Sequence, residues 1–228
     1  AFYKCSSLNA IVIPGSCEYI GNGAFFGCSN LGSVIFESSD KAIALGSDSY
    51  LQKTGKIIPF PNPTTVDERR TGFKNAYRKG LFSDLKIEHI IINRDIRLSK
   101  YYEREIGDAY LTGYERVFYD VVYYPPFYGL GNLKTIEIGE NVTAVCRNQI
   151  ECVVDAKPTT MDYVNFDKCD NIEVIISNNP NPPVGGGFSR YVYENASLFL
   201  PNGGENSYIN DDLWKHFYNI YAVSYTHL

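Results

Sequence analysis

Histidine, methionine and tryptophan are nearly missing from this chain, whose 228 residues hold three histidines, one methionine and one tryptophan. With so few imidazoles, a histidine-built metal centre has little to work with, and neither HExxH, GxSxG nor P-loop spacing occurs. An excess of basic charge is also lacking. Lys and Arg number 21 against 26 Asp and Glu, a formal balance of −5, so nothing recruits a nucleic-acid backbone. Long hydrophobic runs are missing too: stretches such as Ile90-Ile91-Ile92 fall far short of the roughly 18–20 residues that cross a bilayer. The six cysteines include no CxxC pair, which leaves a zinc ribbon or a thioredoxin-like motif unsupported. No EF-hand spacing is present. No cofactor is expected.

What the chain does hold is a repeat. Ala1 to Ile13, AFYKCSSLNAIVI, is written again from Ala24 to Phe36 as AFFGCSNLGSVIF, with Ala, Phe, Cys and Leu recurring 23 positions on. A period in the range of about 20–29 residues marks a solenoid of stacked coils. Ile11 and Ile13 lie two apart, so on a strand both point into the core while Ala10 and Val12 face out. Pro14 then stops the strand. The segment from Phe2 to Cys5 reads as a short helical turn that carries Phe2 inward. Cys5, Cys28 and Cys169 each stand three residues after a phenylalanine, the mark of a small buried packing residue at one repeat position.

Further coils follow with interruptions. Phe82 opens a third, whose strand is read over Ile87 to Ile92; Phe127 to Ile138 form a fourth, and Phe166 to Ile176 a fifth. Ile138 to Val145 matches Ile13 to Ile20 in spacing, which predicts a common register. Ile90 and Ile136 are twice 23 apart, so a degenerate coil with Val117 to Tyr124 as its strand is expected between them. Ala196 to Pro201 reads as a last strand, and Ile209, Leu213, Trp214, Phe217 and Ile220 follow at helical spacing, as a closing cap. The expected fold class is α/β: a strand-dominated parallel solenoid with short helical turns and a C-terminal cap. One domain is expected over residues 1–223, with insertions at about 47–80 and 95–128, a cap at about 196–223 and a tail at 224–228. Ala1 falls inside a repeat, so the start reads as truncated.

With AFYKCSSLNAIVIP, AFFGCSNLGSVIF, LGNLKTIEIGENVTAV and CDNIEVIISNNPNPP, the chain resembles the BspA-type leucine-rich-repeat surface proteins of Bacteroides-like bacteria. The ending, with LFLP, Tyr208, Trp214 and Phe217 to Ile220, is similar to the end of that family. The resemblance implies a secreted or surface-anchored protein that binds host or bacterial proteins or glycans.

Catalytic groups are not expected. A dyad of Cys169 with His89 competes with the repeat-position explanation of that cysteine. Gly185-Gly186-Gly187 lacks the Lys-Ser/Thr of a phosphate cradle and reads as a bend. Asp211-Asp212, and Glu103 with Glu105, read as solvated charges, the aspartates suiting the positive end of the capping helix. Tyrosine is the abundant candidate, with 19 in the chain. It offers a large amphipathic contact area at low entropy cost. Tyr101, Tyr102, Tyr110 and Tyr114, mixed with charges, are the expected ligand contacts. The outward strand positions Val12, Ile35, Ile91 and Glu137 are apolar for a free surface, and cover from an insertion is one expectation for them. The expected function is a non-catalytic binding or adhesion module. The alternatives are a domain of a carbohydrate-active system and a structural spacer.

Overall fold

The computed structural model describes residues 2–21, 23–45, 81–82, 84–98, 103–106, 118–121, 126–145, 149–154, 157–162 and 166–224. Each of the first five coils contributes a strand to one sheet, bends, and contributes a shorter strand to a second. The pairs are β1 (Ala10–Ile13) and β2 (Tyr19–Ile20), then β3 (Ser33–Phe36) and β4 (Ile43–Leu45), then β5 (His89–Ile92) and β6 (Ile96–Leu98). After a hairpin, β7 (Glu103–Ile106) with β8 (Phe118–Val121), come β9 (Thr135–Ile138) and β10 (Ala144–Val145). A second hairpin, β11 (Gln149–Val154) with β12 (Lys157–Asp162), precedes β13 (Val174–Ser177) and β14 (Val184–Gly185). β15 (Ser197–Pro201) and β16 (Asn219–Val223) close the larger sheet.

The larger sheet is seven-stranded, in the order β1-β3-β5-β9-β13-β15-β16, and the smaller is five-stranded, β14-β10-β6-β4-β2. All pairings within both are parallel. The 23-residue repeat is the register itself: Ile11 pairs with Val34 and Ile13 with Phe36. Ile90 pairs directly with Ile136, so no coil lies between them. The expected degenerate strand there is β8, which pairs antiparallel with β7. The equal spacing of Ile13–Ile20 and Ile138–Val145 does not carry register into the second sheet. Val145 pairs with Ile96 and Ile96 with Ile43, whereas Ile20 pairs with Leu45. The bend between the sheets varies in length, and equal counts across it align by chance.

In the first, second and fifth coils the opening turn is a pair of consecutive i→i+3 turns, as in Cys28 N–H to Phe25 O and Leu31 N–H to Cys28 O. A helix cannot continue there, because the residue two after each phenylalanine has positive φ: Lys4 (58°), Gly27 (79°), Asp84 (64°), Gly129 (73°) and Lys168 (58°). That local kink lets the phenylalanines stack. Phe2, Phe25, Phe82, Phe127, Phe166 and Phe188 form one column, with neighbouring centroids 5.1–5.6 Å apart and ring planes within 6–21°. Beside it run the buried rows Leu31, Ile87, Leu133, Ile172 and Val34, Ile90, Ile136, Ile175, Leu198. The Cys position holds Leu85 and Leu130 in the middle coils. Cys28 and Cys169 are buried, and each thiol donates to the carbonyl of the previous coil's phenylalanine, Phe2 at 2.9 Å and Phe127 at 3.0 Å. Cys5, at the first coil, is exposed. It occupies the repeat position without the burial expected of it, because no coil among the described residues covers that side.

A helix fills the opening turn only in the sixth coil: α1 (Arg190–Asn195), capped by the Ser189 hydroxyl. The cap that follows is not one helix. α2 (Glu205–Ile209) leads to a 3-10 turn at Trp214–His216, and Ile220 then lies on β16, paired with Leu198. Asp211 sits as expected at the start of the turn, its carboxylate accepting from the Leu213 and Trp214 amides at 2.9 and 3.1 Å. Trp214 and Phe217 close the phenylalanine column edge-on against Phe188, and the Trp214 indole donates to Pro183 O at 3.2 Å. Ser177 stands where Ile138 stands one coil earlier. Fully buried, it shares a 2.6 Å hydrogen bond with the Tyr208 hydroxyl, which also donates to Asn179 O at 3.0 Å. The stacking row is broken there to give the cap its polar partner.

Three interruptions depart from one corner of the coil, after a second-sheet strand and before a phenylalanine turn. Residues 46–80 follow β4, those after β6 include β7 and β8, and those after β10 include β11 and β12. Coils one and five make the same step in a few residues, through Gly21–Ala24 and through Gly186-Gly187. Ile96–Leu98 belongs to the third coil, so the second interruption follows Leu98. The β11–β12 hairpin was not legible as an interruption in the sequence.

Candidate functional site

Alternation along the strands of the larger sheet sends every second side chain away from the core. The resulting outer face has three in-register rows. The first, Ala10, Ser33, His89, Thr135, Val174, Ser197 and Asn219, is small and mostly polar. Within it His89 Nδ1 and Thr135 Oγ1 lie 2.7 Å apart. The second row is Val12, Ile35, Ile91, Glu137, Ile176, Phe199 and Tyr221. Val12 is 52% exposed and Tyr221 48%, and the positions between them are half-buried by their neighbours. Phe199 and Tyr221 stack at 5.3 Å. The third row is polar at its centre, where Asn178 donates to Glu137 at 3.3 Å.

An apolar row with exposed ends on a parallel sheet has the chemistry that a contact surface needs, since burial against a partner would remove its apolar area from water. The sequence pointed to its first four members, Val12, Ile35, Ile91 and Glu137. Ile176 and Phe199 follow from the same alternation. Tyr221 escaped because its segment carries a helical spacing and is a strand.

The expected ligand tyrosines, Tyr101, Tyr102, Tyr110 and Tyr114, lie outside the described residues. β7 and β8 pair between and beside them. The Cys169–His89 pairing is not formed: His89 faces outward on β5, whereas Cys169 is buried in a turn with its thiol on Phe127 O. Burial pushes that thiol up to about 12, far from the depressed range of a nucleophilic cysteine. Gly185, Gly186 and Gly187 all have positive φ, between 83° and 94°. The Gly186 amide donates to Val145 O and a Cβ at Gly186 would meet the Trp214 ring at 3.4 Å, so the segment is a bend under the cap. Among the described residues no three His, Cys, Asp or Glu side chains come together to hold a metal ion. Nor is any described helix long and apolar enough to cross a membrane.

One buried cation was not anticipated. Arg94, 1% exposed, reaches from the third coil to Lys41 O at 3.1 Å and to Pro14 O and Gly15 O at 3.2 and 3.0 Å. It ties the bends of three coils together, and a lone arginine after a strand gives no repeat signal by which to find it.

Residues 1–68 match a family model described as the BspA type leucine rich repeat region (6 copies). No curated protein matches the chain. The matched segment contains the first two coils, and the phenylalanine column and both parallel sheets carry the same coil on to the cap. Residues 1–68 thus carry BspA-type leucine-rich repeats, and the chain as described is a strand-dominated repeat solenoid, an architecture that generally serves as a protein-interaction scaffold.

Proposed function

We propose that this protein is a non-catalytic binding module, secreted or held at a cell surface, that recognises protein or glycan ligands of a host or of neighbouring bacteria. The observation that carries the reading is the second outer row, from Val12 to Tyr221, on a sheet whose five interior strands are paired on both sides. A regular coil is explained by stacking, but an apolar row turned away from the core is not. The tyrosines Tyr101, Tyr102, Tyr110 and Tyr114 supply a second contact region, placed in one of the interruptions that a solenoid does not need.

The test is a binding screen against immobilised matrix proteins and glycans. It uses the wild type, an Ile35→Ser/Ile91→Ser variant and a variant with the four tyrosines changed to serine. Each variant is first checked for an unchanged melting profile. Loss of a captured ligand in the first variant supports the strand face, and loss in the second supports the tyrosines. Equal binding by both folded variants overturns the assignment of either surface.

A further inference from the structure

Glu137 is out of keeping with its row. It occupies the fourth of seven strands, flanked in register by Ile91 and Ile176, and all other members of the row are aliphatic or aromatic and uncharged. Packing does not ask for a carboxylate there, because the neighbouring inward positions Ile136 and Ile138 do the stacking. It accepts from the neutral side-chain amide of Asn178 at 3.3 Å. Among the described residues no cation pairs with it, and the nearby Lys134 is turned to Glu88 at 3.4 Å.

We propose that Glu137 sets the charge preference of this face. The partner is an amphipathic helix of another protein, carrying one Lys or Arg at the middle of its apolar stripe. The proposal rests on the strand face being the binding surface. A purely apolar partner would bury the carboxylate without a counter-charge, which is costly, whereas a single facing cation neutralises it and fixes register.

The row's repeat favours a helix over an extended strand. Neighbouring strands are about 4.8 Å apart and successive turns of a helix about 5.4 Å. Same-face residues of an extended segment are roughly 6.6–6.8 Å apart. Six strand spacings come to roughly 29 Å, the length of about 20 helical residues. The cation then falls near the helix midpoint.

The experiment pans a random peptide library, about 20 residues long, on the wild type, on Glu137→Lys and on Ile35→Ser/Ile91→Ser, each with its melting profile checked. The wild type is expected to enrich peptides with apolar residues at i, i+3, i+4 and i+7 and a central Lys or Arg, by about tenfold over library frequency. Glu137→Lys should enrich Asp or Glu at the same place, and the serine variant should lose both sets. Wild-type peptides that depend on the isoleucines but show no central charge preference, or do not change with Glu137→Lys, overturn this inference and leave the binding face standing. Row-dependent peptides whose apolar residues alternate at i, i+2 and i+4 overturn the helix. Peptides enriched equally by the serine variant, or no enrichment on any protein, overturn the face and the inference with it.

Discussion

At the second residue after each of the first five column phenylalanines the backbone enters the left-handed region whatever the side chain, glycine at Gly27 and Gly129 but lysine or aspartate elsewhere. That conformation costs a non-glycine residue about 1–2 kcal/mol. Gly129 has open space where a Cβ would go, whereas a Cβ at Gly27 would meet Lys4 at 3.0 Å. Gly129→Ala is therefore expected to cost about 1 kcal/mol and Gly27→Ala more, read as the shift in urea midpoint. Equal midpoints for the two variants would refute the role of the Lys4 contact. The thiols give a second prediction. Alkylation of the native protein should reach Cys5 and spare Cys28 and Cys169 until denaturant is added, and a disulfide joining any two of the three would sink it. Burial also holds Cys169 and the Tyr208 hydroxyl up at about 12, from ordinary values near 8.5 and 10. Both groups are neutral in the fold and ionise sooner in the unfolded chain. Their contribution is complete below the unfolded values and is lost as pH rises toward about 12, so the melting temperature should fall across that alkaline window.

At the scale of elements, the cap and the hairpins make opposite predictions. Trp214 is buried against Phe188, Tyr208 and Phe217, and losing a buried large aromatic costs roughly 3–5 kcal/mol. Trp214→Ala should lower the melting temperature or drive aggregation, because it opens the last coil to water. Unchanged melting and solubility would mean that the cap does not seal it. The β11–β12 hairpin, by contrast, sits between Val145 and Phe166, positions whose counterparts one coil on, Gly185 and Phe188, are joined by two glycines alone. Replacing residues 146–165 by Gly-Gly is expected to leave the far-ultraviolet spectrum and cooperative melting intact. Loss of folding in that variant would assign the hairpin a structural role that the coil geometry does not require.

At the scale of the whole molecule, a solenoid holds together through nearest-neighbour contacts, and the phenylalanine column makes that visible. Phe127 touches a stacked ring on both sides, Phe82 and Phe166, and is fully buried. Among the described residues Phe2 has one stacked neighbour, and it is 39% exposed. Phe127→Ala is expected to cost about 3–5 kcal/mol and Phe2→Ala far less, compared by chemical denaturation. Similar costs would show that the column does not act as a chain of local contacts.

The repeat fixed much of this from residue identity alone. A phenylalanine, a small residue and an aliphatic at set spacings, followed by two β-branched positions two apart, specify a turn and a parallel strand wherever they recur, because each position meets only its own kind one coil away. The turn phenylalanines, the inward rows and the family resemblance were legible for that reason. Four features were decided only by three-dimensional contact, each lacking a period of its own. The second sheet forms across bends of unequal length. Ile90 and Ile136 are neighbours because β5 pairs directly with β9. The segment around Tyr221 took the open edge of the larger sheet, since pairing with β15 there outweighs a helical spacing that packs only one face. Ser177 and Arg94 hold buried polar positions set by partners distant in the chain, the Tyr208 hydroxyl and the carbonyls of two other coils' bends. Glu137 lies between these cases: its place and direction follow from strand alternation, but its isolation in an apolar row exists only once seven strands are laid side by side.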